Sequence, residues 1–312
     1  MKKLIFGLIT IILISGCVGM PDILKGIFPG AGPQVTELPP DLIVVQNINT
    51  LPIPPINTGD QFTVSFEIKN QDEIRDVSGD VKVQLFDYGL CKPDKSSFTP
   101  DPANWVESDG VYNYNFNGFD PLQTELIEWT FTAPKSEEIA YLSTKCPIRF
   151  KVNYSSSATS QVDISVISPT RLKELQRTGQ IPTYTPNQTV GRGPLKIYFD
   201  FGTSFPVKAA GTLPIYITIE DKGSGLIEGG DLPANSLKLN VPDGFVRIAD
   251  QCEKFDDKLK NIGKITMIRK KSVPLKCSFT TPSVDIEKTY LISASLNYSY
   301  SITQEVDIQI KP

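Results

Sequence analysis

An all-β fold of two tandem antiparallel β-sandwiches is predicted by three features of the sequence. Apolar and polar residues alternate strictly in short runs, Gly, Pro, Asn and Asp punctuate those runs, and one set of motifs occurs twice in the same order. Helical periods do not intervene between the runs, which favours stacked antiparallel sheets over a βαβ arrangement. Short strands at this spacing suit an immunoglobulin-like sandwich.

The chain opens with a leader. Lys2-Lys3 form a positive n-region, Leu4 to Leu13 an apolar core, and Ile14-Ser15-Gly16-Cys17 a cleavage region, so residues 1–17 read as an export signal. The apolar run is shorter than the ~20 residues that span a bilayer, which argues against a permanent transmembrane helix. The quartet ending in Cys17 resembles the lipobox of prokaryotic lipoproteins, and that resemblance implies lipid attachment at Cys17 and a new N-terminus there. An ordinary signal peptide with a chance cysteine is the competing reading. Residues 18–40, with five prolines and four glycines, read as a semi-extended tether between the membrane and the first folded unit.

The first sandwich is expected over 41–167, with alternation at Phe62, Val64, Phe66 and Ile68, at Val81, Val83 and Leu85, and at Ile127, Trp129 and Phe131. It continues at Ile148, Phe150, Val152 and Tyr154 and ends at Val162, Ile164 and Val166. Ser168 as N-cap, Pro169 in the first turn, Leu172 and Leu175 on one face, and Gly179 at the end then predict a short helix. Helix and loop together make residues 168–194 a joint between domains; a cap packed inside the first sandwich is the alternative. The second sandwich is expected over 195–312, on the alternation of Ile215, Ile217 and Ile219, of Leu237, Leu239 and Val241, and of the two closing runs at Ala294–Tyr300 and Val306–Ile310. Phe131-Thr132-Ala133-Pro134 returns as Phe279-Thr280-Thr281-Pro282, Asn153-Tyr154 as Asn297-Tyr298, and Val162-Asp163-Ile164 as Val306-Asp307-Ile308. This is a tandem duplication.

With Cys17 assigned to lipid, Cys91, Cys146, Cys252 and Cys277 remain, an even number in an exported chain. Of three pairings, Cys91–Cys146 and Cys252–Cys277 keep each bridge within one unit and are the expected ones. Zinc is not expected: no pair has CxxC spacing and the chain has no histidine.

The absence of histidine also removes the commonest general base. No GxGxxG, GxxxxGK[ST] or GxSxG motif is present, so no catalytic residue, nucleotide or cofactor is expected. Net charge is −4 and the one basic run, Arg269-Lys270-Lys271, reads as a solvated turn, so nucleic acid is not an expected partner.

The stretch Asn57-Thr58-Gly59-Asp60 followed by Gln61 to Asn70 resembles the opening of CARDB-like and archaeal S-layer-associated immunoglobulin-like domains, in which a Gly-Asp turn precedes an alternating strand ending in Lys-Asn. The second copy keeps the pattern weakly, at Ala210-Gly211 and Glu220-Asp221. The resemblance implies a spacer, adhesion or binding module on a microbial surface and carries over no binding residue. Together with the lipobox, the chain is similar to small lipoproteins of archaeal genomes.

Trp105, Tyr112, Tyr114 and Phe116 are candidate contact residues if they lie on a loop; if the tyrosines and Phe116 alternate along a strand they face the core, which is the preferred reading. Asp221, Glu228 and Asp231 surround a Gly-rich turn but lack the order of a calcium loop, so no metal site is expected. Sequons occur at Asn153, Asn187 and Asn297, of which Asn187, in the joint, is the accessible glycosylation candidate. The expected function is a non-catalytic, lipid-anchored module on the extracytoplasmic face of a prokaryotic membrane, for adhesion or assembly with a surface protein or glycan. The alternative is an accessory carbohydrate- or solute-binding lipoprotein.

Overall fold

A computed structural model describes residues 34–37, 40–74, 76–180 and 184–312. The segment read as an export signal, with Cys17, and most of the segment read as a tether lie outside the described residues. Every described element but one short α-helix and three 3-10 turns is strand.

In the first half the strands are β1 (Gln34–Glu37), β2 (Ile43–Leu51), β3 (Ile56–Asn57), β4 (Gln61–Asn70) and β5 (Val77–Asp87). They continue with β6 (Lys92–Thr99), β7 (Val106–Ser108), β8 (Val111–Phe119), β9 (Thr124–Thr132) and the 24-residue β10 (Thr144–Ile167). Helix α1 (Pro169–Arg177) and β11 (Asn187–Val190) follow. The second half has β12 (Leu195–Phe201), β13 (Val207–Lys208), β14 (Thr212–Asp221), β15 (Leu226–Ile227), β16 (Leu237–Asn240) and β17 (Val246–Arg247). It closes with β18 (Met267–Ile268), β19 (Lys271–Ser272), β20 (Leu275–Thr280) and the 25-residue β21 (Glu287–Lys311).

Two outer sheets repeat one plan. The first has the order β2-β4-β9-β6, and the second places β14 between β12 and β20, with β17 beyond β20. Val64 of β4 stands opposite Trp129, and Ile215 of β14 opposite Cys277, so the duplicated strands take equivalent places. Each outer sheet needs an inner one to cover its apolar face. A single 11-stranded sheet does this for both halves.

That sheet is built on β10 and β21, which pair antiparallel without interruption from Thr144 opposite Ile310 to Ile167 opposite Glu287. The first part of β10 pairs with β5, and its Phe150 stacks 4.1 Å from Phe66 of β4, in the first sandwich. Its last part pairs with β11 and β13 and packs on β12, in the second. β21 does the converse: its start pairs with β16, and its end lies beside β3 in the first sandwich. The closing runs are thus exchanged between halves. Val162, Ile164 and Val166, expected in the first sandwich, bury in the second, while Ile308 and Ile310 bury in the first. A cut at 167 or 195 does not separate two sandwiches. The physical reason is that strand period sets which face is buried but leaves the partner open, and a strand of ~80 Å has length for two cores.

The register places the duplication on a pseudo-twofold axis. Ser155 and Ser299, equivalent in the two copies, stand opposite one another with their hydroxyls 3.3 Å apart. Residues before Ser155 enter one sandwich and those after it the other.

The joint differs in part from expectation. Ser168 caps α1 by accepting a hydrogen bond from the Arg171 amide at 3.2 Å, with Pro169 in the first turn, and Gly179 follows at φ +70. No residue of α1 is buried, so it is not an internal cap. The segment read as loop contains β11, and the end of the segment read as tether is β1, parallel to β11. Val35 and Thr36, β-branched residues between flanking prolines, suit an added edge strand.

Both expected disulfides are present. Cys91–Cys146 ties the start of β6 to β10 and so staples the two sheets of the first sandwich, while Cys252–Cys277 fastens a 3-10 turn to β20 in the second.

Candidate functional site

The aromatic stretch forms core rather than surface. Asp101 caps the turn Pro102–Asn104 by accepting from the Ala103 amide at 3.1 Å, and the chain then turns Trp105 inward. Trp105 is fully buried, its ring 5.4 Å from Phe98, 5.2 Å from Tyr114 and 5.8 Å from Trp129, and its indole Nε1 donates to the Thr99 carbonyl at 3.3 Å. Tyr112 is buried against Phe98, and burial, reinforced by Glu107, pushes its hydroxyl up to about 12. Tyr114 and Phe116 are half-buried on β8. The candidate contact residues are corrected accordingly: Trp105 and Tyr112 have no free face, because an aromatic flanking a sandwich edge gains more from the core than from water.

The acidic turn likewise does not assemble a site. Asp231 accepts from Lys264 Nζ at 2.9 Å and from the Met267 amide at 3.3 Å. Asp221 is buried elsewhere, accepting from Tyr300 Oη at 2.8 Å and the Gly223 amide at 3.0 Å, with Lys270 Nζ 3.8 Å away. Burial raises the Asp221 carboxyl above its ordinary range, although Tyr300 and Lys270 pull it back. Close packing fixes this arrangement: a Cβ on Gly223 would meet Tyr300 Oη at 2.6 Å, and one on Gly225 would collide with the Ser301 carbonyl. Arg269 and Lys270 form the two-residue turn of the β18–β19 hairpin, both at positive φ, and Lys270 and Lys271 reach back to Gly223 and Glu220. Among the described residues no group of three or more Cys, Asp or Glu side chains is placed to hold a metal ion. Nor is any described helix long and apolar enough to cross a membrane.

Of the sequons, Asn187 has an exposed side chain but lies on β11 rather than in a loop. Asn153 is half-buried and donates to Gln84 Oε1 at 2.9 Å, and Asn297 is exposed on β21.

One described concavity lies where the two halves meet. An open cleft of about 510 Å³ spans the waist of the β10–β21 ribbon, floored by Ser155, Ser157, Asn297 and Ser299 and walled by Asp76 and Pro233. Its floor offers hydroxyls and an amide, groups that both donate and accept. Part of this floor is duplicated in the sequence: Asn153-Tyr154-Ser155 returns as Asn297-Tyr298-Ser299, and Ser156-Ser157 extend the polar run in the first copy alone. Only the pairing of β10 with β21 brings Ser155 and Ser299 together.

No protein-family model matches this chain, and no curated protein matches it. Solved structures that it resembles include red sea bream transglutaminase, at 11% identity and TM-score 0.19 over 85% of this chain and 31% of that one. The B domain of a biofilm-associated protein follows at 8% identity and TM-score 0.22, over 86% of this chain and 75% of that one. The collagen adhesin of S. aureus has 11% identity and TM-score 0.12, over 89% and 94%. This chain spans under a third of the transglutaminase. At these scores none of the three lends a site residue to this chain.

Proposed function

We propose that the chain is an exported, lipid-anchored and non-catalytic surface module that presents a rigid double sandwich for adhesion or for assembly of an envelope complex. The observation that carries this reading is the uninterrupted β10–β21 ribbon, which makes the two halves one stiff body, a geometry suited to holding a contact surface away from its anchor. Two disulfides support an oxidising compartment, and Ile14-Ser15-Gly16-Cys17 supports lipid attachment in a prokaryotic, archaeal-type lipoprotein. The alternative, a carbohydrate- or solute-binding lipoprotein, is favoured by the hydroxyl-lined waist cleft alone.

Membrane fractionation with mass spectrometry of Cys17 tests the anchor. Wild-type protein should float with membranes and carry lipid on Cys17, and Cys17→Ala should be released or remain unprocessed. Membrane-bound protein with an unmodified Cys17 refutes the lipoprotein reading. Proximity cross-linking on intact cells against a glycan-binding screen then separates a protein contact from a sugar ligand.

A further inference from the structure

We infer that the end of the molecule bearing α1 is the face that rests on the membrane, with anionic lipid headgroups as its partner, and that the first sandwich is held outward. This inference rests on the lipid-anchor reading above. Chain direction carries it. β1 runs parallel to β11, with Gln34 opposite Asn187 and Glu37 opposite Val190, and β11 runs antiparallel to β10, with Gln188 opposite Val162 and Val190 opposite Ser160. Gln34 therefore stands level with Asp163, and the chain enters the fold heading away from the second sandwich and toward the first.

Length decides between the two ends. Along β10, Asp163 lies 19 residues from Thr144 and 4 from Ile167, about 63 Å and about 13 Å at ~3.3 Å per residue. Cys17 precedes Gln34 by 17 residues, whose contour cannot exceed about 56–61 Å at 3.3–3.6 Å each. With the ribbon upright, a lipid on Cys17 falls short of the far end of the first sandwich even before its turn at Ser136–Ile139, beyond Thr144, is counted. The end of the second sandwich is within reach several times over.

The chemistry of that end agrees. α1 begins there, where the Ser168 amide donates to the Ile286 carbonyl at 2.8 Å, and it exposes Arg171, Lys173 and Arg177; Glu174, the one acid of the helix, pairs with Arg171 at 3.3 Å, which leaves Lys173 and Arg177 to face headgroup phosphates. Leu172 and Leu175 turn toward the protein and Ile286 stays exposed beside the helix. Asp285 and Glu287 flank Ile286 and oppose its insertion, so the headgroup contact falls to the cations of α1 and is a superficial one.

Full-length lipidated protein on vesicles of three parts phosphatidylcholine to one of phosphatidylglycerol, carrying a nitroxide headgroup quencher, tests this. Gln176→Cys and Leu142→Cys, both at exposed, uncharged positions at opposite ends, are each labelled with one fluorophore, and wild-type-like melting and vesicle flotation are required of both. Several-fold stronger quenching at position 176 than at 142 is the expected result, with the contrast reduced at high salt and in vesicles of phosphatidylcholine alone. Flotation with equal quenching at both ends, or with stronger quenching at 142, overturns the orientation and leaves the anchor standing. Contrast that ignores salt and lipid charge overturns the headgroup contact. Failure of the wild-type protein to float overturns the anchor reading, and the orientation with it.

Discussion

Truncating Trp105 to alanine removes a fully buried indole from between Phe98, Tyr114 and Trp129 and leaves the Thr99 carbonyl without its 3.3 Å donor. A buried aromatic covers ~150–250 Å², which at ~25 cal/mol per Å² corresponds to about 4–6 kcal/mol, an upper bound because the unfolded chain already hides part of that area. Measured truncations of buried Phe and Trp cost about 3–5 kcal/mol, and that range is the expectation here. For units of ~150–250 residues each kcal/mol moves the melting temperature by ~2–4 °C, so the variant should melt about 6–20 °C lower. Circular dichroism on heating, with urea midpoints at fixed temperature, measures it. Tyr114→Ala, at a half-buried ring, should cost less. A Trp105→Ala protein that melts like wild type yet loses capture by native surface membranes would refute the core assignment and restore Trp105 as a contact residue.

Tyr300→Phe should lower stability by about 1.5–3 kcal/mol in urea titration, since it deletes a 2.8 Å hydrogen bond to the buried Asp221 carboxylate. Loss of Cys91–Cys146, which closes 55 residues, should cost about 4 kcal/mol, and loss of Cys252–Cys277, which closes 25, about 3.5 kcal/mol, as chain entropy scales with loop length; paired serine variants read by thermal unfolding check the order. Acid titration separates two adjacent carboxyls. Asp221 is raised, so its stabilising contribution is full below its unfolded pKa and is lost as pH rises through the folded one; Asp221→Asn should gain stability relative to wild type on going from pH 3 to pH 7. Burial opposes ionisation at Glu220 too, but hydrogen bonds from Lys222 and Lys271 outweigh it and hold that carboxyl below its ordinary range. Its contribution is therefore present above the unfolded pKa and lost as pH falls through the folded one, and Glu220→Gln should be more destabilised at pH 7 than at pH 3; urea midpoints at the two pH values that move together for both variants would contradict the pair of assignments.

Residue order by itself determined the local features. Phe62 to Ile68 alternates because a strand turns successive side chains to opposite faces, Ser168 and Pro169 start a helix because their chemistry meets unpaired amides, and Cys91, Cys146, Cys252 and Cys277 pair within their own halves. The duplication was equally legible, because identical dipeptides recur in order whatever the fold. Tertiary structure decided partners. Backbone donors and acceptors are the same at every residue, so nothing local tells Val162 or Ile308 which sandwich to enter, and only the competition of two cores for two long strands settles it. Trp105 lies outside any alternating run, so its burial follows from the cavity that Phe98 and Trp129 leave for it rather than from period. The waist cleft, too, exists only through pairing: its floor residues Ser155 and Ser299 are 144 residues apart in sequence and meet because an antiparallel ribbon folds the duplication back onto its own axis.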